Sequence, residues 1–263
     1  MRGIKGKITL ITGGTRGIGK GIAKRFLEEG AIVIVVGGKN RQDAENTVAE
    51  LSPLGQIEYM MVDLSGTEAV EKMIDDVVAK YGRIDILVND AGIQVRKWAT
   101  EFPIEDFDRV LGVNMRSYFI ASRTAARYMQ KQGGGSIVCI SSGNSQCYTS
   151  QRCAYNISKT AVNGLVATLG VEWARFNIRI NGVAPGYVMT EMIQKGINEG
   201  IIDIENIMKV IPMKRLLTPE EMEEIGMFLA AVRRVRSYLD KGMSYGIPLS
   251  CYGENLRLMT ELK

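Results

Sequence analysis

Short apolar runs alternate with amphipathic stretches over most of this 263-residue chain. The first run, at 8–11, is followed by four clustered glycines, after which apolar residues recur at helical spacing up to Gly30. A second apolar run, rich in isoleucine and valine, occupies 31–38, which is typical of strands buried on both faces. The segment 7–30 therefore predicts a strand, a glycine-rich turn and a helix.

The alternation continues along the chain. Helices are predicted at Arg41–Leu51, Thr67–Tyr81, 105–129 and 154–176, and strands at 57–62, 84–88, 136–141 and 179–184. Such alternation favours right-handed βαβ units. We therefore predict an α/β fold in three layers: a doubly wound, Rossmann-like parallel β-sheet of about seven strands with helices on both faces.

A single domain is predicted to span residues 1–263, because no linker composition interrupts the pattern. The pattern loosens at about 186–217, where Met and Ile are frequent. This stretch is predicted to be a flap over the substrate, with short packed helices that have no gating role as the alternative.

Composition excludes several functions. Histidine is absent, which excludes Ser-His triads and His-ligated zinc, so proton transfer must rest on Tyr, Lys, Asp, Glu or Cys. The net charge is +4, and the basic run at 233–236 is interpreted as a solvated helix face rather than a nucleic-acid site. Without membrane-length apolar runs or a signal-like N-terminus, we expect a cytoplasmic protein. Reduced thiols are predicted for Cys139, Cys147, Cys153 and Cys251.

Candidate ligand-binding residues lie at the predicted turn and strand ends. Glycines at 13, 14, 17 and 19 permit positive φ and close approach of a ligand, and the N–H groups that begin the next helix attract phosphate oxygens. A pyrophosphate is therefore the predicted ligand, and a structural turn is the alternative. Polar residues or proline follow other strands: Asp63, Asn89, Ser141, Ser142 and Pro185.

Tyr155 and Lys159 are four residues apart on a predicted helix, so their side chains share one face. A phenol with a pKa of ~10 is a poor base, but a nearby ammonium favours the phenolate. Tyr155 is therefore a candidate general acid/base, with a surface contact as the alternative. Ser142 and Asn114 are predicted to lie at the same sheet edge.

At these residues the chain resembles the short-chain dehydrogenase/reductase family of single-domain type. Residues 12–19 resemble its T-G-x-x-x-G-x-G turn, 185–190 its P-G-x-x-x-T motif, and 89–92 its N-N-A-G motif with Asp90 in place of the second Asn. The family's catalytic tetrad is matched in order and spacing by Asn114, Ser142, Tyr155 and Lys159.

The resemblance implies a role for each tetrad residue. Tyr155 would donate a proton to a carbonyl oxygen as hydride arrives from a nicotinamide, and Ser142 would hold that oxygen. Lys159 would lower the pKa of Tyr155 and bind the nicotinamide ribose, while Asn114 would position a water. No metal is implied.

The resemblance also implies the cofactor contacts and the assembly. Cofactor contacts are expected from Gly13, Thr15, Arg16, Gly17, Ile18, Gly19, Gly38, Lys39, Asp63, Leu64, Asn89, Ala91, Gly92, Tyr155, Lys159, Pro185, Gly186, Val188 and Thr190. A homotetramer, or a homodimer, is expected through the helices at 105–129 and 154–176.

The second strand's end bears on cofactor choice, because an acidic residue there would bind the ribose 2′-hydroxyl of NAD and repel a 2′-phosphate. Residues 37–41 contain no carboxylate, whereas Arg16, Lys39 and Arg41 could bind a phosphate. NADP(H) is therefore favoured over NAD(H). The alternative is that these cations are solvated and NAD is used without an acidic partner.

Segments 91–110, 172–192 and 212–222 resemble gluconate 5-dehydrogenases and related keto-sugar reductases. The expected function is NADP-dependent interconversion of a carbonyl and a secondary alcohol on a gluconate-like keto sugar or polyol. Substrate contacts are expected from Ser142, Gln94, Asn144 and Tyr155, with Arg96 and Lys97 as further polar candidates for hydroxyls or a carboxylate. The alternatives are a 3-oxoacyl-acyl-carrier-protein reductase and a non-catalytic NADP-binding sensor.

The C-terminal segment departs from the family pattern. An Asp-Gly-Gly-like turn normally follows the last strand, but residues 251–253 read Cys-Tyr-Gly here, and 230–242 replace a small, acidic helix end. Because of this departure, the resemblance does not predict the geometry of the last strand or its part in subunit contacts.

Overall fold

The computed structural model describes residues 3–200, 202–211, 213–231 and 247–248. Its strands are β1 (Ile8–Thr12), β2 (Ile32–Gly37), β3 (Ile57–Met61), β4 (Ile86–Asn89), β5 (Gly135–Ile140), β6 (Ile178–Ala184) and β7 (Ile247–Pro248). Its helices are α1 (Gly17–Glu28), α2 (Arg41–Leu51), α3 (Thr67–Tyr81), α4 (Ile104–Leu111), α5 (Ser117–Lys131), α6 (Cys153–Trp173), α7 (Glu191–Asn198), α8 (Ile204–Val210) and α9 (Pro219–Ala231). The basic run at 233–236 and the turn expected at 251–253 lie outside the described residues.

The strands form one parallel sheet in the order β3-β2-β1-β4-β5-β6-β7, in which β7 is a two-residue pair against the end of β6. The chain winds outward from β1 in both directions, so a crevice forms beyond the carboxyl ends of β1 and β4. This topology confirms the predicted doubly wound, Rossmann-like sheet.

Strands β1 to β6 each contribute to two cores, because neighbouring side chains of a strand point to opposite faces. Leu10 and Ile34 pack in one core with residues of α3, α5 and α6. Ile11 and Val35 pack in the other core with residues of α1, α2 and α9. The molecule therefore has the predicted three layers, and the buried apolar surface on both sides fixes the sheet edge where ligands bind.

The helix predicted at 105–129 consists of two α-helices joined by a π-helical turn. The turn spans Gly112–Arg116 between α4 and α5, and Asn114 lies within it. The extra residue in a π turn changes which side chains face the core. This change points Asn114 inward, where it is fully buried.

The segment predicted as a flap contains α7 and α8. Its ends are held together by backbone hydrogen bonds, from Met189 N to Leu217 O at 2.8 Å and from Leu217 N to Tyr187 O at 2.9 Å. The segment is therefore an excursion that leaves the sheet edge and returns to the same place. None of the described helices has the length and apolarity that a membrane crossing requires.

Candidate active site

The glycine turn between β1 and α1 has the backbone geometry that the sequence predicts. Gly13 and Gly17 have φ values of +73° and +54°, which favour glycine. A Cβ atom on Gly19 would lie 2.5 Å from the Gly13 carbonyl oxygen, so the helix start packs directly on the turn. The N-cap residue Arg16 makes no side-chain cap, so the N–H groups in the first turn of α1 that Asp90 does not bind are available to a phosphate.

The cofactor residues predicted at the ends of β2 and β3 lie on the surface of the crevice. Gly38 and Lys39 are exposed beyond β2, and Arg16 is exposed at the start of α1. Arg41 instead donates a hydrogen bond of 3.0 Å to the Tyr59 hydroxyl. Arg16, Lys39 and Arg41 are therefore all exposed cations, and in the described part of the chain Arg41 is the one of them with a hydrogen bond to a neighbouring side chain.

The motif beyond β3 forms a short turn of its own. The Asp63 carboxylate accepts hydrogen bonds from Ser65 N at 3.0 Å and Ser65 Oγ at 2.8 Å, and these bonds lower the pKa of Asp63. Leu64 is partly buried against the sheet core. Asp63 is thus an ionised, exposed group at the strand end where the sequence predicts a cofactor contact.

Several predicted cofactor residues turn their side chains away from the crevice. Asn89 is buried and donates 3.1 Å to Ser122 Oγ, so it ties β4 to α5. Ile18 and Val188 pack in the hydrophobic core around α1. At these positions the backbone, rather than the side chain, is what a ligand in the crevice would meet.

The loops after β5 and β6 hydrogen-bond to each other, and the loop after β4 contacts α5 and α6. Gly143 N donates 2.7 Å to the Pro185 carbonyl oxygen. The Ala91 carbonyl oxygen accepts 3.0 Å from the Tyr118 hydroxyl, and a Cβ atom on Gly92 would lie 3.7 Å from Lys159 Nζ. These contacts bring the predicted motifs to one edge of the sheet.

Thr15, Gly186 and Thr190, which are also predicted to contact the cofactor, are fixed by local contacts or lie beside residues already described. The Thr15 carbonyl oxygen accepts 2.8 Å from Thr47 Oγ1, which fixes the glycine turn against α2. Gly186 is partly exposed beyond Pro185, and Thr190 caps α7 by accepting 3.4 Å from Ile193 N.

Asn114 holds three parts of the site together. Its side-chain oxygen accepts 2.8 Å from Ile93 N, and its amide nitrogen donates 2.9 Å to Ile93 O and 3.1 Å to Ser158 Oγ. These bonds connect the π turn, the loop after β4 and α6. The π turn is thus the local structure that places Asn114 in the site, as such turns often do at functional sites.

Lys159 is buried beside Asn114 and Gly92. Its ammonium donates 2.7 Å to the Ile140 carbonyl oxygen and 3.3 Å to the Tyr118 hydroxyl. Burial lowers the pKa of Lys159 to about 8, although the negative charge of Asp90 opposes the shift. The sequence does not single out Tyr118, because an aromatic residue at helical spacing indicates core.

Tyr155 lies 5.9 Å from Lys159 Nζ, measured to the ring centroid. Burial raises the pKa of the phenol, while the Ser142 hydroxyl and the Arg152 guanidinium lower it. The Lys159 ammonium is directed at the Ile140 carbonyl oxygen, and its predicted effect on the pKa of Tyr155 stays a prediction. Tyr155 is therefore protonated at neutral pH and lies beside Ser142.

A polar cluster of Gln94, Arg96 and Arg152 borders Tyr155. With its amide oriented for hydrogen bonding, the Gln94 oxygen accepts 3.2 Å from Arg96 Nε and 2.9 Å from Arg152 Nε. Asn144, the other predicted substrate contact, is tied to Ser142 through its backbone, since Asn144 N donates 3.2 Å to Ser142 Oγ. Arg152 is not among the predicted residues, although a basic residue directly before the helix of Tyr155 is a visible signal.

Asp90, where the family motif has Asn, lies beneath the glycine turn. A Cβ atom on Gly19 would lie 2.7 Å from Asp90 Oδ2. Burial raises the pKa of Asp90 to about 6, and Lys159 together with the Gly19 N–H opposes the rise. The carboxyl group thus links the turn electrostatically to Lys159.

Among the described residues, no three His, Cys, Asp or Glu side chains are placed to hold a metal ion. Cys139, Cys147 and Cys153 are free thiols.

This combination of crevice, glycine turn and Tyr-Lys pair defines a nucleotide-dependent oxidoreductase. The short chain dehydrogenase family matches residues 7–199. The chain belongs to this family, whose members that resemble it are named dehydrogenases or reductases and use NAD(P).

Relatives and structures with different names resemble the chain to a similar degree. It is 36% identical to a 3alpha-hydroxysteroid dehydrogenase of Mediterraneibacter gnavus, covering 87% of this chain and 91% of the relative. It is 35% identical to a 3-oxoacyl-acyl-carrier-protein reductase of Thermotoga maritima (87% and 92%) and to a 2-dehydro-3-deoxy-D-gluconate 5-dehydrogenase of Dickeya dadantii (87% and 89%). A crystal structure titled as a short-chain alcohol dehydrogenase of Sinorhizobium meliloti matches with a TM-score of 0.84 and 26% identity, covering 97% of this chain and 98% of that one.

Proposed function

We propose that the protein interconverts a carbonyl group and a secondary alcohol on a gluconate-like keto sugar or polyol, with NADP(H) as cofactor. The observation that carries the proposal is the placement of Tyr155, Ser142 and Lys159 at the sheet edge, next to the polar cluster of Gln94, Arg96 and Arg152.

In the proposed reaction, bound NADPH supplies a hydride to the substrate carbon. Tyr155 gives its proton to the carbonyl oxygen, for which its raised pKa keeps it in the protonated form. Ser142 donates a hydrogen bond to the same oxygen. The Lys159 ammonium, 5.9 Å from the centre of the Tyr155 ring, stabilises the phenolate that forms, and Asn114 ties helix α6, which carries both groups, to the loop after β4.

Preference for NADP(H) is supported by the charges at the end of β2. Residues 37–41 contain no carboxylate, and Lys39 and Arg16 are exposed there. A 2′-phosphate bound at this point would meet two cations and no anion from that segment. In the same proposal, Asp63 and the neighbouring backbone hold the adenine side of the cofactor.

A gluconate-like substrate is supported by the hydrogen-bonding groups around Tyr155 and by likeness to the Dickeya relative. A second candidate is reduction of a 3-oxoacyl thioester, since the Thermotoga relative named for that reaction is equally similar. A non-catalytic NADP-binding sensor is the third candidate. The presence of both Tyr155 and Lys159 at the sheet edge argues against it, because a sensor needs neither group.

We further propose a cytoplasmic homotetramer, with a homodimer as the alternative. Phe119, Ile157 and Val171 are 38%, 45% and 60% exposed on α5 and α6, the helices from which a subunit contact is expected. Apolar side chains of this size on neighbouring helices gain stability when a second subunit covers them.

Oxidation of NADPH and of NADH by the purified protein, each with 5-ketogluconate, a ketopentose and an acetoacetyl thioester, tests the proposed function. Turnover with NADPH and a keto sugar is expected. Turnover only with the thioester would assign the protein to acyl reduction, and NADPH binding without turnover on any substrate would support the sensor. Faster turnover with NADH than with NADPH would contradict the cofactor preference.

A further inference from the structure

Two guanidinium groups share one neutral hydrogen-bond acceptor next to Tyr155. Gln94 accepts from Arg96 Nε at 3.2 Å and from Arg152 Nε at 2.9 Å, so one amide oxygen holds both arginines in place. The backbone reinforces the arrangement, because Lys97 and Arg152 form an isolated β-bridge and Lys97 N donates 3.1 Å to Gln151 O.

This pair has a charge that the rest of the site does not neutralise. None of the ion pairs formed by the described residues includes Arg96 or Arg152, whereas the neighbouring Lys97 pairs with Asp106 at 3.7 Å. Arg152 is partly buried, and both its burial and the positive charge of Arg96 lower its pKa. Holding the exposed Arg96 next to the partly buried Arg152 costs free energy that an anion would recover.

The reacting phenol is close to the same charges. Arg152 lowers the pKa of Tyr155, and Tyr187 hydrogen-bonds Arg152 from the loop after β6. An anion held between the arginines would therefore belong to the molecule whose carbonyl group faces Tyr155.

We propose that Arg96 and Arg152 bind a carboxylate of the substrate, with Gln94 setting the spacing between the two guanidinium groups. The planar fork of Arg152 suits bidentate pairing with a carboxylate, and Arg96 supplies a second contact. This inference rests on the proposed function and narrows it, because it selects keto acids over neutral ketoses and polyols.

The test compares one keto acid with its uncharged counterpart. Values of kcat/KM for NADPH-dependent reduction are measured with 5-ketogluconate and with its methyl ester, on the wild type, Arg152→Gln, Arg152→Lys and Arg96→Gln. Arg175→Gln serves as the matched control, since it removes one exposed guanidinium that stacks on Phe176. NADPH affinity, measured by fluorescence, reports whether each variant is folded.

Removal of Arg152 is expected to lower kcat/KM for the acid by roughly 10- to 100-fold, which is the range of charge-assisted hydrogen bonds. The ester is expected to change by less than about three-fold, Arg96→Gln to show a smaller loss in the same direction, and Arg152→Lys to recover part of the loss. Arg175→Gln is expected to match the wild type.

Equal losses for the acid and the ester would overturn the carboxylate site, and so would a wild type that reduces both equally well. Either result leaves the proposed function intact, because the keto sugar is still reduced. Failure of the wild type to reduce either compound, together with turnover of an acetoacetyl thioester, would instead overturn the proposed function.

Discussion

Asp90 is the residue at which this chain differs from its family motif in the described site. An amide offers a donor and an acceptor, and so does a protonated carboxyl group, whereas a carboxylate offers acceptors only. Asp90 Oδ2 and the Gly13 carbonyl oxygen both lie near Gly19, within 2.7 Å and 2.5 Å of the position of its missing Cβ. The protonated form of Asp90 is therefore the one that fits an arrangement built for Asn.

This reasoning predicts a pH-dependent effect of Asp90→Asn on stability. The pKa of Asp90 is raised from 3.8 to about 6 on folding, so the native state binds the proton more tightly than the unfolded chain. The proton on Asp90 therefore contributes to the free energy of unfolding. This contribution is fully present below pH 3.8 and is lost as the pH rises through about 6. Asp90→Asn has no such group to titrate and keeps its stability over this range. Its free energy of unfolding, relative to that of the wild type, should therefore rise by on the order of 3 kcal/mol between about pH 4 and about pH 7.5.

Urea unfolding at the two pH values measures the difference. Asp43→Asn, a substitution of an acidic residue in the first turn of α2, is the control and should show no gain of this kind. A difference between wild type and Asp90→Asn that stays constant with pH would show that the carboxyl group titrates normally.

At the scale of single elements, the glycine turn sets a steric requirement. Gly19→Ala places a methyl group 2.5 Å from the Gly13 carbonyl oxygen, within helix α1 where the backbone cannot give way. The expected result is a loss of roughly 1–3 kcal/mol in the free energy of unfolding, as for overpacking elsewhere, and weaker NADPH binding.

Gly164→Ala provides the matched control. Gly164 lies in α6, where a Cβ atom would have no atom of its own chain within 4 Å. Both variants are made in the Ile157→Glu background, which removes the proposed subunit contact from this helix, so Gly164→Ala should be neutral or stabilising by up to about 1 kcal/mol. Denaturant unfolding of both variants checks the pair. Equal stability of the two variants would mean that the turn tolerates a side chain.

Most elements could be predicted from the sequence because apolar spacing alone determines them. The π turn at Gly112–Arg116 could not, since apolar residues continue at helical spacing on both sides of it. Helix α9 is absent from the predicted elements, although Thr218 and Glu221 at its start form a capping box that the sequence shows. In the structure, Glu221 N donates a hydrogen bond of 3.3 Å to Thr218 Oγ1, and Thr218 N donates one of 2.9 Å to Glu221 Oε2.

The site could be predicted less completely than the fold, because its chemistry depends on where each side chain points as well as on where its residue lies in the chain. Spacing places Tyr155 and Lys159 on one face, but only the fold shows the ammonium of Lys159 directed at the Ile140 carbonyl. Arg152 and Gln94 come from different loops, so no sequence spacing relates them. The sequence pattern therefore gave Gln94 and Arg96 but not Arg152, and it did not give the mutual orientation of the three side chains.

At the scale of the whole molecule, the apolar surface of α5 and α6 predicts assembly. Ile157→Glu and Val171→Glu each place a charge on that surface, where a second subunit would bury it without a partner. Light scattering coupled to gel filtration is expected to show a tetramer for the wild type and smaller species for these variants. Leu54→Glu, at an exposed position away from α5 and α6, should keep the wild-type mass.

Wild-type protein that is monomeric at micromolar concentration would contradict the proposed assembly. Variants that keep the wild-type mass would move the contact to another surface of the molecule.

The most direct test of the proposed chemistry is the turnover of Tyr155→Phe with NADPH and 5-ketogluconate, measured with the NADPH dissociation constant. The phenyl ring keeps the packing but has no proton to donate, so kcat is expected to fall by roughly 10²- to 10⁴-fold. NADPH affinity should stay within about three-fold of the wild type, because Tyr155 acts on the substrate oxygen and the glycine turn holds the phosphates. Turnover by Tyr155→Phe at a rate close to that of the wild type would contradict the assignment of Tyr155 as the general acid.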